Sequence, residues 1–261
     1  MLLSSSQNPN IKLIKSLQEK SRKRRLEKKF VVEGEKEILH AIDGGYKLLS
    51  LFHVHKEHSN IESFSKFNEV KIFSIEYTLF EQLCYRKTSE FIAIFEIEEH
   101  HLSQISLINQ NPFILIAESP EKPGNIGALL RTADAFSIDL VIIVNPKTDL
   151  YNPNVIRSSV GCLFTVPVVT GTVNEVIEFL KNNKITVYNA AFGQEAVEYT
   201  KADYTKAVGI AVGTEDVGLS IDWLEQIGQQ VFIPMQGKND SLNVSVAAGI
   251  LLAEVRRQRN P

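Results

Sequence analysis

The chain of 261 residues is long enough for two ordinary domains with substantial buried cores. Its 28 Lys and Arg against 31 Asp and Glu give a formal charge of −3, which excludes a global basic field, so any nucleic-acid contact must come from a local patch. Two cysteines, Cys84 and Cys162, exclude a disulfide framework and fit a reducing compartment; with no basic leader before an apolar run and no stretch of about 20 apolar residues, a soluble cytoplasmic protein without membrane spans is expected.

Residues 10–28 read as one amphipathic helix with Ile11, Ile14 and Leu17 at helical spacing. It runs into EKSRKRRLEKK, where Lys20, Arg22, Lys23, Arg24 and Arg25 outnumber the neighbouring glutamates. Such a run is either a solvated helix end or a contact for a polyanion. Beyond it, strand-like FVVEG, LLSLFHV, VKIFSI and FIAIFEI alternate with helical EKEILHAI and EYTLFEQLC, which predicts a small α/β domain to about residue 98. His53 and His55 share a strand face and His58 follows, but no cysteine or carboxylate cluster completes a coordination set, so no metal site is expected. The stretch Glu99 to Asn111, with His100 and His101, reads as a linker, and the domains are divided as 1–105 and 106–261.

From Pro112 the strands FILIAES, DLVIIV, ITVYNAAF, AVGIAVG and QVFIP alternate with helical stretches at 124–136, 153–160, 173–182 and 243–257, the pattern of a mainly parallel α/β sheet. In PGNIGALLRTADAF, Asn125 sits at the helix start and Arg131 is six residues on, ~9 Å along the axis. A long side chain leans back toward its own helix N-terminus, so Arg131 can serve the same anion-friendly loop mouth as Asn125. The bland alternative makes Asn125 a cap and Arg131 a surface charge. Cys162 lies in an apolar stretch and reads as core.

The strand ending at Gly213 is followed by a polar turn, where α/β sheets place ligands. Leu219 stands where a P-loop needs its Lys, and no G-x-G-x-x-G follows a strand, so neither nucleotide motif applies. Gly213 instead permits close backbone approach to a flat ligand. Ser241 and Asn243 precede the last helix as candidate N-caps. On that helix Val244, Ala247, Ala248, Leu251 and Val255 form a stripe that is core or dimer surface.

Taken together, Asn125, Gly127, Arg131-Thr132-Ala133, Gly213-Thr214-Glu215 with Gly218, and Ile233-Pro234-Met235 with Ser241 to Ser245 resemble the three ordered motifs of the SpoU (TrmH-type) branch of the SPOUT RNA methyltransferases. The likeness covers about residues 110–258, and RSSVGCLFTVPV between the first two motifs also fits. Ser137 stands where a Gly is usual, Thr214 for the commoner Ser, Asp216 for a small residue and Asn239 for an apolar one. The opening SxxNPxIK and VVEGEK stretches resemble, less distinctively, the L30e-like substrate-binding domain often attached to this branch.

The resemblance implies a C-terminal sheet with a trefoil knot, a rare exception to unknotted topology, and a smaller N-terminal α/β domain. It implies transfer of a methyl group from S-adenosylmethionine to a ribose 2′-hydroxyl of RNA, ribosomal RNA rather than tRNA because of the extra domain. Asn125, Arg131, Glu215, Ser241 and Asn243 would build the active site, and Gly213, Ile233 and Leu242 the cofactor pocket. No metal is required. Lys20, Arg22, Lys23, Arg24 and Arg25 are then read as RNA contacts, and a homodimer through the C-terminal domain is expected. The rival from another class is a non-catalytic RNA-binding or ribosome-assembly protein that retains the fold.

Overall fold

The computed structural model describes residues 2–55, 64 and 70–259; His58 lies outside them. By their contacts the residues form two compact units, Met1–Glu98 with Asp149–Thr165, and Glu99–Thr148 with Val166–Pro261.

The first unit is built on a five-stranded sheet in the order β1 (Leu2–Leu3), β4 (Lys71–Ile75), β3 (Leu48–Val54), β5 (Phe91–Glu96), β2 (Lys29–Glu33). The β1–β4 and β3–β4 pairs are parallel, and β5 runs antiparallel to both β2 and β3. Helices α1 (Pro9–Glu19), α2 (Ser21–Glu27), α3 (Glu35–Asp43) and α4 (Tyr77–Glu81) accompany it. Pro9 occupies the first turn of α1, where its missing N–H costs nothing, and the Asn8 side chain accepts from the Asn10 amide at 2.9 Å. Ile11, Ile14 and Leu17 share one face and are buried with Phe52, Ile75 and Leu79.

The single helix expected over 10–28 is corrected to two. Lys20 is extended (φ −118, ψ 108), which turns the chain so that the Arg24 guanidinium folds back onto the carbonyls of Leu17 (2.5 Å) and Gln18 (3.2 Å). Those carbonyls lie in the last turn of α1, where no intrahelical donor reaches them.

Residues 149–165 fall in the second domain when the chain is divided at 105/106, yet by contact they belong to the first unit. Asp149 pairs with Arg24 at 2.6 Å. The Phe30 ring lies 4.5 Å from that of Tyr151 and 5.7 Å from that of Phe164. A β-carbon on Gly44 would meet the Phe164 carbonyl at 2.2 Å, so only glycine allows this approach. Tyr151 donates to the Glu98 carbonyl at 2.5 Å, and α6 (Pro153–Ser158) packs on β2.

The second unit carries a seven-stranded sheet in the order β10 (Val197–Glu198), β12 (Gln229–Phe232), β9 (Thr186–Ala190), β11 (Val208–Val212), β6 (Phe113–Glu118), β7 (Leu140–Val144), β8 (Val168–Gly171), with every pairing parallel. Strands β6, β7 and β11 are buried throughout, as continuous apolar runs covered on both faces must be. Ile114, Ile116, Leu140 and Ile142 point to one face, against Val176, Ile177 and Leu180 of α7 (Val173–Asn182) and Trp223 of α8 (Ile221–Leu224). Phe113, of opposite parity, lies beneath the guanidinium groups of Arg256 and Arg259 on α9 (Val244–Arg259), and α9 in turn packs on α5 (Pro123–Ala135). Of the stripe read on the last helix, Ala248, Leu251 and Val255 are core, while Val246 beside it is half exposed. Cys162 is buried, and burial pushes the partly exposed Cys84 thiol up to about 12; neither cysteine is in a disulfide.

Ser137, after α5, has φ 49, the left-handed region that a glycine adopts without strain. Arg256 holds it there by donating to the carbonyls of Phe136 and Ser137, each at 2.6 Å. Ser137→Gly is expected to raise the thermal midpoint by about 1 to 3 °C, because relief of about 1–2 kcal/mol of strain exceeds glycine's extra unfolded-state entropy. A calorimetric scan that shows a fall instead would mean the hydroxyl matters more than the backbone.

Candidate active site

The sheet switches direction around β6: the chain steps from β6 to β7 and β8 on one side, then returns to β9, β11 and β12 on the other. Ligands in such sheets sit outside the carboxyl ends of the strands near that switch. There the structure has a cavity of about 670 Å³ lined by Ala190 at the end of β9 with Ala191 and Phe192 beyond it, Gly213 to Leu219 after β11, Ile233, Met235, Ser241 and Leu242 after β12, and Ala247 and Leu251 of α9.

The turn after β11 is tight. Thr214 and Gly218 exchange backbone hydrogen bonds of 3.0 and 3.2 Å, and Gly218 has φ +74. A β-carbon on Gly213 would lie 2.0 Å from the Gly218 carbonyl carbon and 2.2 Å from the Leu219 nitrogen. The glycine is therefore required by its own loop, a different reason from the close approach of a flat ligand read from the sequence.

Below this turn, the buried Glu118 carboxylate at the end of β6 accepts from the Ser220 amide (2.8 Å) and hydroxyl (2.6 Å), which fixes the start of α8. Sequence reasoning passed over Glu118, whose signal was a single acid ending an otherwise apolar strand. It also passed over Phe192 and Ala190-Ala191, which look like ordinary strand-end residues until β9 is placed beside β11 and β12.

Asn125 is not a cap. Helix α5 begins at Pro123, and the Asn125 side chain points away to donate its amide to the Glu215 carboxylate. Its oxygen accepts from the Asn243 amide at 3.2 Å, and the Asn243 oxygen accepts from the Ser245 amide (3.0 Å) and hydroxyl (2.6 Å). One hydrogen-bonded chain thus ties together the loops after β6, β11 and β12. Asn243 does cap α9, as its sequence position suggested, whereas Ser241 only lines the cavity. On the approach to α5, Lys147 bonds Glu121 at 2.6 Å and holds that carboxyl below the usual range, while Thr148 donates to the Glu121 carbonyl.

Of the sequence-predicted residues, Asn125, Glu215 and Asn243 meet in this network, and Gly213, Ile233, Ser241 and Leu242 line the cavity. Arg131 does not join them. It is exposed on α5, outside the cavity lining and without a polar partner among the described residues. Six residues from Asn125, it is turned about 120° around the helix axis.

The basic stretch is divided. Lys20, Arg22 and Arg25 are exposed, and Lys23 is paired with Glu27 at 2.6 Å. Arg24 is corrected from an RNA contact to a buried ion-pair residue, 2% exposed. A charge run does not reveal which face of its helix turns inward; here Leu26 faces solvent instead. No group of three or more metal-ligating side chains occurs among the described residues, and none of their helices is long and apolar enough to cross a membrane.

Residues 112–253 match the SpoU rRNA Methylase family, and residues 8–94 match an MRM3-like substrate binding domain. A stretch of 143 residues is 32% identical to the 23S rRNA (guanosine(2553)-2'-O)-methyltransferase RlmP of Bacillus subtilis, covering 55% of this chain and 57% of that protein. Another of 165 residues is 33% identical to the tRNA (guanosine(18)-2'-O)-methyltransferase of Thermus thermophilus, covering 63% and 84%. The crystal structure of an AdoMet-bound rRNA methyltransferase from Sinorhizobium meliloti is similar over 98% of this chain and 97% of that one, with a TM-score of 0.88 and 26% identity. The chain therefore spans little more than half the length of the Bacillus relative.

Proposed function

Because the chain belongs to the SpoU rRNA Methylase family, we propose that it methylates a ribose 2′-hydroxyl of RNA with S-adenosylmethionine. The observation that carries this reading is the cavity at three adjacent strand ends, bordered by the Glu215–Asn125–Asn243 chain. Its volume and its apolar lining with a few polar groups suit a cofactor of nucleoside size. Gly213, Ile233 and Leu242 would hold the adenosyl part, with Phe192 and Met235 beside them. When bound, the cofactor supplies a sulfonium methyl: the S–CH₃ bond breaks, the O–CH₃ bond forms, and the 2′-hydroxyl gives up its proton.

The protein's part is positioning, since a weakly acidic hydroxyl must be aligned with that methyl. Asn125, oriented by Glu215 and Asn243, would fix the first motif against the cavity, and Ser241 would offer a hydroxyl at its rim. Arg131, always cationic and a poor base, would bind the adjacent RNA phosphate and stabilise the developing alkoxide, with the proton leaving through that phosphate or water. A homodimer through the second unit would suit the half-exposed Val246 of α9 and the exposed Arg131 of α5. A cytoplasmic setting suits two cysteines that stand outside any disulfide.

Ribosomal RNA is the preferred substrate, because the likeness to the Sinorhizobium rRNA methyltransferase extends through both units. The tRNA reading draws on the Thermus relative. The decisive experiment maps 2′-O-methyl sites in total RNA from cells with and without the protein, on preparations whose mass is measured by light scattering. One site lost from ribosomal RNA is expected. Loss from tRNA would move the substrate, and no change with no S-adenosylmethionine binding would favour a non-catalytic RNA-binding role.

A further inference from the structure

We propose that Tyr85, with Arg157 stacked behind it, is a platform for one unpaired base of the RNA; this rests on the reading of the protein as an RNA enzyme and names a contact for its substrate. Tyr85 is 72% exposed, and the Arg157 guanidinium carbon lies 3.5 Å from its ring centroid. The guanidinium covers one side of the ring and leaves the rest open to a planar group. Arg157 is held in turn by a hydrogen bond to the Asn154 side chain.

The loop that carries Tyr85 is pinned from three directions. The Glu33 carboxylate accepts from the amides of Tyr85 (2.9 Å) and Arg86 (2.8 Å). Arg86 pairs with the buried Glu37 at 2.7 Å, and the Gln18 side chain donates to the Leu83 carbonyl at 2.8 Å. An exposed aromatic on a fixed loop is pre-organised, so a partner pays little ordering entropy on meeting it.

Charge selects the partner. The Glu33 carboxylate is engaged by two backbone amides and the buried Glu37 by Arg86, while Arg157 lies on the ring and Lys87, two residues further along the chain, is exposed. A flat, open ring flanked by cations matches a base with its phosphates, and the base must be unstacked to reach it. Neither Tyr85 nor Arg157 belongs to the basic stretch of α2, from which Arg24 is already withdrawn.

The test uses the full chain and a labelled single-stranded RNA oligonucleotide, with the matching duplex as control. Tyr85→Ala and Tyr85→Leu should each weaken single-strand binding by about fivefold to a hundredfold, the span of base–aromatic stacking. Duplex binding should change little, and Tyr85→Phe should keep the wild-type affinity. A 4-thiouridine crosslink should map to the peptide containing Tyr85. Wild-type single-strand affinity in Tyr85→Ala would overturn the platform. So would an equal loss in Tyr85→Phe, which would mean a hydroxyl contact, or displacement of an acidic peptide rather than RNA. If single-strand binding depends on Tyr85 but no RNA is ever methylated, the platform stands and the enzymatic reading falls.

Discussion

Arg131→Ala is expected to lower single-turnover methyl transfer to saturating RNA by about a hundredfold to a thousandfold, the range set by losing one donor that stabilises a developing oxyanion. The same variant should bind S-adenosylmethionine within about twofold of wild type. The separation is clean because Arg131 is exposed, outside the cavity lining and without a polar partner among the described residues, so its loss leaves no cavity and no orphaned charge. Arg131→Lys should also be severely impaired, since it keeps the charge and loses the planar fork that can grip phosphate and oxygen together. Turnover near wild type in Arg131→Ala would remove the residue from the mechanism and leave Asn125 and Glu215 as a structural clasp.

Gly213→Ala is expected to weaken S-adenosylmethionine binding by on the order of a hundredfold, by the different route of displacing the cavity wall. The new methyl would press into backbone of Gly218 and Leu219, which cannot rotate away as a flexible side chain would. The turn must open, and it carries Glu215 with it. Glu225→Ala, an exposed change just after α8 and outside the cavity lining, is the control and should bind normally. Calorimetric titration of both variants separates the outcomes; equal, unimpaired binding would show that the turn does not shape the cofactor site.

Much of the second unit was legible because its strands are buried on both faces and so stand out as unbroken apolar runs. The helix with Asn125 and Arg131 was equally plain, yet its start was not. Pro123 begins it, and only the paired loop after β11 shows that the Asn125 side chain is engaged by Glu215 instead of by the helix end. Short β8 and β10 escaped notice because 4 and 2 residues give no period to read. Arg24 misled for a related reason: one buried charge in a run of seven basic residues has the same letters as its solvated neighbours. Residues 149–165 lie within the matched span 112–253 yet pack by contact with the first unit, and linear order carries no information about what a segment docks against.

That last segment bears on how the protein is made. The first unit is not finished when residue 98 leaves the ribosome, since Arg24 still lacks Asp149, and Phe30 still lacks Tyr151 and Phe164. At synthesis rates of about 5–20 residues per second, the nascent chain waits roughly 3–13 s more for residue 165. During that interval a sheet with an open aromatic face and an unpaired cation must survive as an incomplete body, exposed to chaperones and to self-association. A gene fragment cut at the linear boundary would make that transient state permanent.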